Sequence, residues 1–318
     1  MNSARITHDG QDGTLIDSIM NSKRAFLGVV VIGMLISVFA ARCSAEDTNA
    51  TGANLSDTSS ASAEPGIFSE WLAMVAKTQA EQPHWAPPVG IVSPCLQQVF
   101  RYDISQQSLK GGRTLTIFGS GKGLEFIPAE RLQFIIGVPP WMTENTTPSK
   151  DGWGDQSFLM KFRLAAANEQ EGDYVVTAFM GMTVPNGGEN YSLGHYTFTP
   201  TLAFGKGWGN FDFQSTINMT FPDNGAAHGG MGTPLVMNGV WQYRLAKVFW
   251  PEVEVNYTWW PNGIHEGLNQ VFITPGLVLG RFPIWKRFAA AVGAGCQVAV
   301  TDHPLIHRNL ILSTRIMF

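Results

Sequence analysis

Leu310-Ile311-Leu312-Ser313-Thr314-Arg315-Ile316-Met317-Phe318 closes the chain in strict alternation. Successive side chains of a strand point to opposite faces. Leu310, Leu312, Thr314, Ile316 and Phe318 therefore share one face, and Ile311, Ser313, Arg315 and Met317 the other. The ends of a soluble domain usually fray. A strand that runs to a terminal aromatic is instead the expected closing strand of a bacterial outer-membrane β-barrel, apolar toward lipid and aromatic at the interface. The competing reading is the last strand of a soluble β-sandwich.

Upstream segments keep the period of two. Phe211, Phe213, Ile217, Met219 and Phe221 alternate with Asp212, Gln214, Thr216, Asn218 and Thr220. Val253, Val255, Tyr257 and Trp259 alternate with Glu254, Asn256 and Thr258, and Phe198, Pro200, Leu202 and Phe204 with Thr197, Thr199 and Thr201. Segments 122–128, 131–138, 156–165, 173–184, 234–245, 270–281, 287–300 and 308–318 complete the run. Most approach the roughly 9–11 residues that a tilted strand needs to cross a bilayer. Pro200 and Pro275 predict local bulges, because proline cannot donate to a ladder. One or two more strands in 96–118 bring the expectation to about 12 strands (range about 10–14), an even number as in bacterial single-chain barrels. The predicted fold is all-β, a transmembrane antiparallel up-and-down β-barrel.

Counting back from a periplasmic Phe318 assigns each connection to a side. Turns 281–286, 246–250, 205–209, 165–172 and 128–130 fall inside and are short. Connections 261–269, 222–233, 185–195 and 139–154 fall outside and are mostly longer and rich in Gly, Asn and Pro, with 301–305 the short exception. Short inner turns and long outer loops are the barrel rule. The aromatics keep the same phase: Trp208, Trp250, Trp285 and Phe318 form an expected inner girdle, and Trp141, Trp259 and Trp260 an outer one.

Residues 25–41, AFLGVVVIGMLISVFAA, follow Lys23-Arg24 and precede Arg42-Cys43-Ser44-Ala45. A basic start, an apolar centre and small residues at the cut predict a cleaved signal peptide over 1–45, with translation starting at Met20. Residues 46–66 are polar and lack aromatics, which predicts a disordered linker. Residues 67–95 predict a short helix, with Phe68, Trp71, Leu72 and Val75 on one side, and then a Pro-rich stretch. That helix could lie on the membrane, plug the barrel or dock a partner; simple packing is the expectation. The barrel itself is assigned to 96–318. Charged residues make up 14% of the chain, aromatics 11%, and the net charge is −4, with no basic patch for nucleic acid. The three cysteines give no disulfide framework and no metal spacing.

Inward positions near the periplasmic strand ends carry Lys161, Arg163, Asp212, Gln214, Arg244, Glu252, Glu254 and Arg315. Such a mixed-charge ring could form a selective constriction or a salt-bridge network that fills a narrow barrel, and the second is the expectation. Arg244 and Glu252, symmetric about Val248, are expected to face each other across a hairpin. His265, His303 and His307 lack the spacing of a metal site. Ser192, His195 and Glu189 match no nucleophile motif, and no nucleotide, zinc or dinucleotide motif occurs.

Over 85–318 the chain resembles the outer-membrane barrel family named for the meta-pathway of phenol degradation, a transporter group related to channels for hydrophobic compounds. The carriers are Leu96-Gln97-Gln98-Val99-Phe100-Arg101-Tyr102-Asp103, Gly152-Trp153-Gly154-Asp155 with Leu159-Met160-Lys161-Phe162-Arg163-Leu164, Val184-Pro185-Asn186-Gly187, Gly205-Lys206-Gly207-Trp208-Gly209 and Phe318. The resemblance implies passage of small hydrophobic or aromatic compounds. The expectation is a non-enzymatic, cofactor-free outer-membrane channel. Its partners would be outer-membrane lipid, a small hydrophobic solute and, through the strand ending in Phe318, the barrel-assembly machinery. The alternatives are a closed structural or adhesive barrel and, third, an outer-membrane lipid hydrolase.

Overall fold

The computed structural model describes residues 67–119, 122–223, 230–302 and 304–318. The signal peptide, the start at Met20 and the linker predicted over 1–66 lie outside the described residues, as does His303.

One helix, α1 (Ile67–Ala80), precedes the strands β1 (Val99–Leu109), β2 (Thr114–Phe118), β3 (Gly123–Ala129), β4 (Leu132–Gly137), β5 (Trp141–Glu144), β6 (Lys150–Trp153), β7 (Gln156–Ala167) and β8 (Tyr174–Val184). After them come β9 (Thr197–Trp208), β10 (Phe211–Met219), β11 (Phe221–Pro222), β12 (Leu235–Tyr243), β13 (Phe249–Trp259), β14 (Asn269–Trp285), β15 (Phe288–Ala299) and β16 (Ile306–Met317). These segments make a closed antiparallel barrel of twelve staves, because β2 continues into β3, β4 into β5, β6 into β7 and β10 into β11. β1 closes the ring on β16, from Val99↔Met317 to Leu109↔Ile306. Across the ring itself, closure pairs every stave on both sides, as a bilayer requires because it offers no water to exposed backbone groups. Among the described strands β6 and β11, at the outer end, pair on one side alone.

The alternation sets what faces lipid. On β16, Leu310, Leu312 and Ile316 point outward while Ser313 and Arg315 are buried inside. On β13, Val253 and Trp259 point outward, and Glu252 and Glu254 inward. Trp208 and Trp285 stand outward at the short-turn end, against Phe211 and Phe288, and Phe288 lies 6.3 Å from Phe318. At the far end Trp141 packs on Trp153 at 5.0 Å. Trp250 departs from the expected girdle. It sits in phase with Glu252, so it faces inward and is buried. Trp260 is held in the outer loop over His265 rather than in a belt.

Region 96–118 supplies one whole stave and the outer half of the next, in line with the one or two strands expected there. Two further expectations change. Segment 139–154 is not a loop, because β5 and β6 extend the wall outward as a hairpin. Pro200 and Pro275 produce no bulge: β9 skips pairing with β10 between Thr201↔Asn218 and Phe198↔Phe221, then resumes in the same register. Around Pro275, β14 and β15 likewise keep register from Ile273↔Val298 to Gly276↔Gly295. The missing N–H costs a pair but not an alignment.

Candidate functional site

The lumen is filled from the short-turn end by the chain's own Pro-rich segment, residues 81–98. Pro83, Pro87, Pro88 and Pro94 forbid helix or ladder there. The segment's backbone groups must therefore find partners elsewhere once they are buried.

Helix α1 anchors it at the rim. Trp71 Nε1 donates to Ile127 O at 2.7 Å, and the exposed Lys77 meets Glu130 at 2.9 Å. Val75 packs with Leu96 and Ile127. Gln82 then ties the segment into a closed loop: its Nε2 donates to Leu96 O at 2.7 Å, and its Oε1 accepts from Leu96 N at 3.0 Å.

The wall clamps everything between. Arg101 donates to Pro88 O at 3.0 Å and to Val89 O. Arg315 donates to Pro87 O and, at 2.8 Å, to Pro88 O. Lys122 reaches Gly90 O at 2.7 Å, and Lys161 reaches Ser93 O at 3.0 Å and Cys95 O at 3.3 Å. Arg163 holds Thr78 O at 2.7 Å and the Glu81 carboxylate at 3.1 Å. In the opposite sense, Glu252 accepts from Val89 N at 2.8 Å, and Glu254 from Gly90 N at 2.7 Å. Cations take the carbonyls and carboxylates take the amides. A hydrogen bond to a charged group contributes about 1.5–3 kcal/mol, and stranding a buried partner costs about as much.

Shape supports the clamp. The apex, Val89, is fully buried against Gly293 and Gly295; an added Cβ there would lie 3.1 and 3.3 Å from its methyls. Trp85 lies on Gly205, where a Cβ would be 2.3 Å from the indole. Trp85 also packs with Val89, Cys95, Val175, Trp250 and Val278 in one buried cluster. Gly205→Leu is therefore expected to expel Trp85 and loosen the segment by about 1–3 kcal/mol, an ordinary overpacking cost. Faster trypsin cleavage within 67–98, with unchanged barrel heat-modifiability, would show it.

The turn 168–173 holds the start of the segment through Glu169 and His84. Glu169 accepts from His84 N at 2.8 Å. Burial opposes ionisation of Glu169, but the His84 amide and ring hold its carboxyl below the usual range. Burial, with Glu169 adding charge nearby, pushes the Asp173 carboxyl up, although the Trp85 indole donates to it. Burial likewise pushes the Cys95 thiol up to about 12. Thiolate is the reactive form. With Cys296 replaced by Ser, Cys95 in residues 46–318 is expected to resist a water-soluble maleimide at neutral pH and to react fully in denaturant.

Of the inward residues read from sequence, Lys161, Arg163, Asp212, Gln214, Glu252, Glu254 and Arg315 are buried within the wall. Asp212 supports Gln214 at 3.0 Å, and Gln214 in turn accepts from Ser93 Oγ at 2.8 Å. Arg244 stands apart. The register opposes Gln242, not Arg244, to Glu252. Arg244 instead lies 5.8 Å from the Trp250 ring and donates to Asn210 at 3.3 Å. The expected Arg244–Glu252 pair is corrected to Gln242–Glu252, joined at 2.5 Å. A pure salt-bridge filling is corrected as well. Arg101–Asp103 at 2.9 Å and Lys122–Asp103 at 3.6 Å are ion pairs, but most lumen charges hold backbone. Arg101, Asp103, Lys122, Glu125, Gln133 and Arg281 were missed. The alternation Val99, Arg101, Asp103 and Ser105 within β1 carries the signal for two of them.

Open space remains on both sides of the segment. A cavity of about 450 Å³ lies beyond its apex, lined by Val89, Ile91, Phe179, Asn238, Asn256 and Asn309 among others. Two more, of about 590 and 370 Å³, flank it at the short-turn end, the first against Arg244, Trp250 and Arg281, the second against Cys95, Val99 and Phe318. Elsewhere, Ser192 Oγ accepts from Gly194 N, and the buried His195 Nε2 has no hydrogen-bond partner. Ser192 and His195 therefore form no nucleophile–base pair. Among the described residues no three His, Cys, Asp or Glu are grouped to hold a metal.

No family model and no curated protein matches the chain. Among solved structures, an outer membrane channel from Pseudomonas putida F1 is similar, with 12% identity, a TM-score of 0.48, and coverage of 69% of this chain and 94% of that one. The CymD monoaromatic hydrocarbon channel gives 9% identity, a TM-score of 0.40, and coverage of 69% and 87%. The outer membrane protein opdK from Pseudomonas aeruginosa gives 10% identity, a TM-score of 0.34, and coverage of 64% and 56%. The lumen, not these likenesses, carries the functional reading.

Proposed function

We propose that the protein is a passive outer-membrane channel for small molecules, held shut by residues 81–98. One observation carries this reading: cavities of about 450 Å³ beyond the segment and about 590 Å³ beside it are divided by a stretch that enters from one end. That stretch is joined to the wall by polar contacts that water can replace. A barrel meant only as a scaffold could fill its lumen with wall side chains, as small barrels do. Here the wall supplies charges whose partners are backbone groups of a separable segment. Outer-membrane location agrees with the lipid-facing belt and the short-turn end. The sequence resemblance implies small hydrophobic or aromatic solutes, a class that the amide- and hydroxyl-rich lining of the cavity beyond the segment does not match.

Planar-bilayer recording of residues 46–318 tests the channel. Little or no current from the intact chain, and discrete steps reduced by a permeant solute once residues 67–98 are removed, are the expected results. A heat-modifiable barrel that stays silent even without residues 67–98 would favour the second reading, a closed structural barrel. That reading draws on the completeness of the clamp around Pro87, Pro88 and Val89.

A further inference from the structure

We infer that the cavity beyond the segment's apex binds uncharged, polyhydroxylated solutes of monosaccharide size. This names the solute class of the channel proposed above and rests on that reading. Charge is sorted by level in the lumen. The charged side chains that reach this cavity, Asp103, Lys122 and Glu254, form its floor. Each is already engaged: Asp103 with Arg101, Lys122 with Gly90 O, and Glu254 with Gly90 N. Higher up, the wall presents the amides of Asn218, Asn238, Asn256, Gln297 and Asn309, with hydroxyls from Thr199, Thr201 and Thr216.

An amide offers a donor and an acceptor side by side, as a pair of neighbouring hydroxyls does. The wall amides are already oriented in relays. Asn256 donates to Asn238, and Asn238 donates to Thr216 Oγ1 at 2.8 Å. Asn309 donates to Gln297 at 3.1 Å. The second relay ends unmet: Asn309 Oδ1 has no hydrogen-bond partner although the residue is only 8% exposed. A buried acceptor left so is unfavourable; it has almost no surface of its own, so a small rotation of the amide into the cavity is what would let a solute hydroxyl satisfy it. Ile117, Leu159 and Phe179 give the same cavity an apolar side for the carbon face of a sugar ring. Its volume of about 450 Å³ lies within the roughly 300–1,000 Å³ of small-molecule sites. A charged solute would lose its hydration without finding a free counter-charge, and a wholly apolar one would leave the amides unpaired.

The test is equilibrium binding to residues 46–318 in detergent, by calorimetry, with D-glucose, D-gluconate and toluene as probes. D-Glucose is expected to bind, with gluconate and toluene weaker by about tenfold or more, the scale of one lost hydrogen bond. Asn309→Leu is expected to weaken glucose binding roughly tenfold; Asn218→Leu serves if that variant fails to fold. Toluene binding more tightly than glucose, or glucose binding unchanged by the substitution, overturns the proposal. Binding does not require conduction, so the two readings fail separately. Glucose binding to a barrel that does not conduct even after deletion of residues 67–98 would sink the channel, whereas current without glucose binding would sink the site.

Discussion

Deletion of residues 67–98 is expected to turn a silent or weakly conducting barrel into one with large, discrete open steps. β1 begins at Val99 and keeps its whole ladder to β16, so the ring stays closed without the segment. The charges that the segment leaves behind, among them Arg101, Lys161, Glu252 and Arg315, would face incoming water rather than empty protein. Their desolvation is relieved instead of stranded. Heat-modifiability on gels should therefore survive the deletion. A folded, truncated barrel with the same conductance as the intact chain would mean that the segment does not close the path.

The second large effect is expected from Arg101→Ala combined with Arg315→Ala. These guanidiniums share Pro88 O and between them hold Pro87 O and Val89 O. Each is worth about 1.5–3 kcal/mol, so losing both removes about 3–6 kcal/mol from the closed state. Since about 1.4 kcal/mol is tenfold, open probability should rise by roughly a hundredfold or more. Arg244→Ala is the control. Arg244 contacts Asn210 and Trp250 but no backbone of residues 81–98, and should leave gating unchanged. An equal effect from Arg244→Ala would show that lumen charge in general, not the backbone clamp, controls the pore.

The barrel was legible because period two is imposed at every residue by lipid on one side and lumen on the other. Leu310 to Phe318 shows it, and so does the inward placement of Glu252 and Glu254. Trp250 lies near a rim but shares the parity of Glu252, and parity decides which face a strand residue takes. The Arg244–Glu252 pairing failed for a related reason. The hairpin, closed by the Leu245–Phe249 bridge, is centred on Lys247 rather than Val248, which moves each partner by two residues. A plug was one of three roles the sequence left open for the helix at 67–80; that the Pro-rich stretch after it fills the lumen was not legible. A proline-rich stretch has no periodicity, and its partners lie far off in sequence, as Pro87 and Arg315 do at a separation of 228 residues. Sequence showed that residues 81–98 could not make regular structure. It did not show that the lumen charges exist to satisfy what such a stretch leaves unpaired.

The apex of residues 81–98 lies inside the barrel against β15. A cysteine at position 293 would place its Cβ 3.1 Å from Val89 Cγ2, an atom one C–C bond of about 1.5 Å from the Cβ at 89, which is compatible with the about 3.5–4.5 Å between bridged Cβ atoms. The measurement is oxidation of Val89→Cys/Gly293→Cys protein, with Cys95 and Cys296 replaced by Ser, in outer-membrane preparations. Rapid, near-complete cross-linking, with one peptide pair joining residues 89 and 293, is the expected result. A folded barrel in which both thiols stay free under oxidant would contradict the closed lumen.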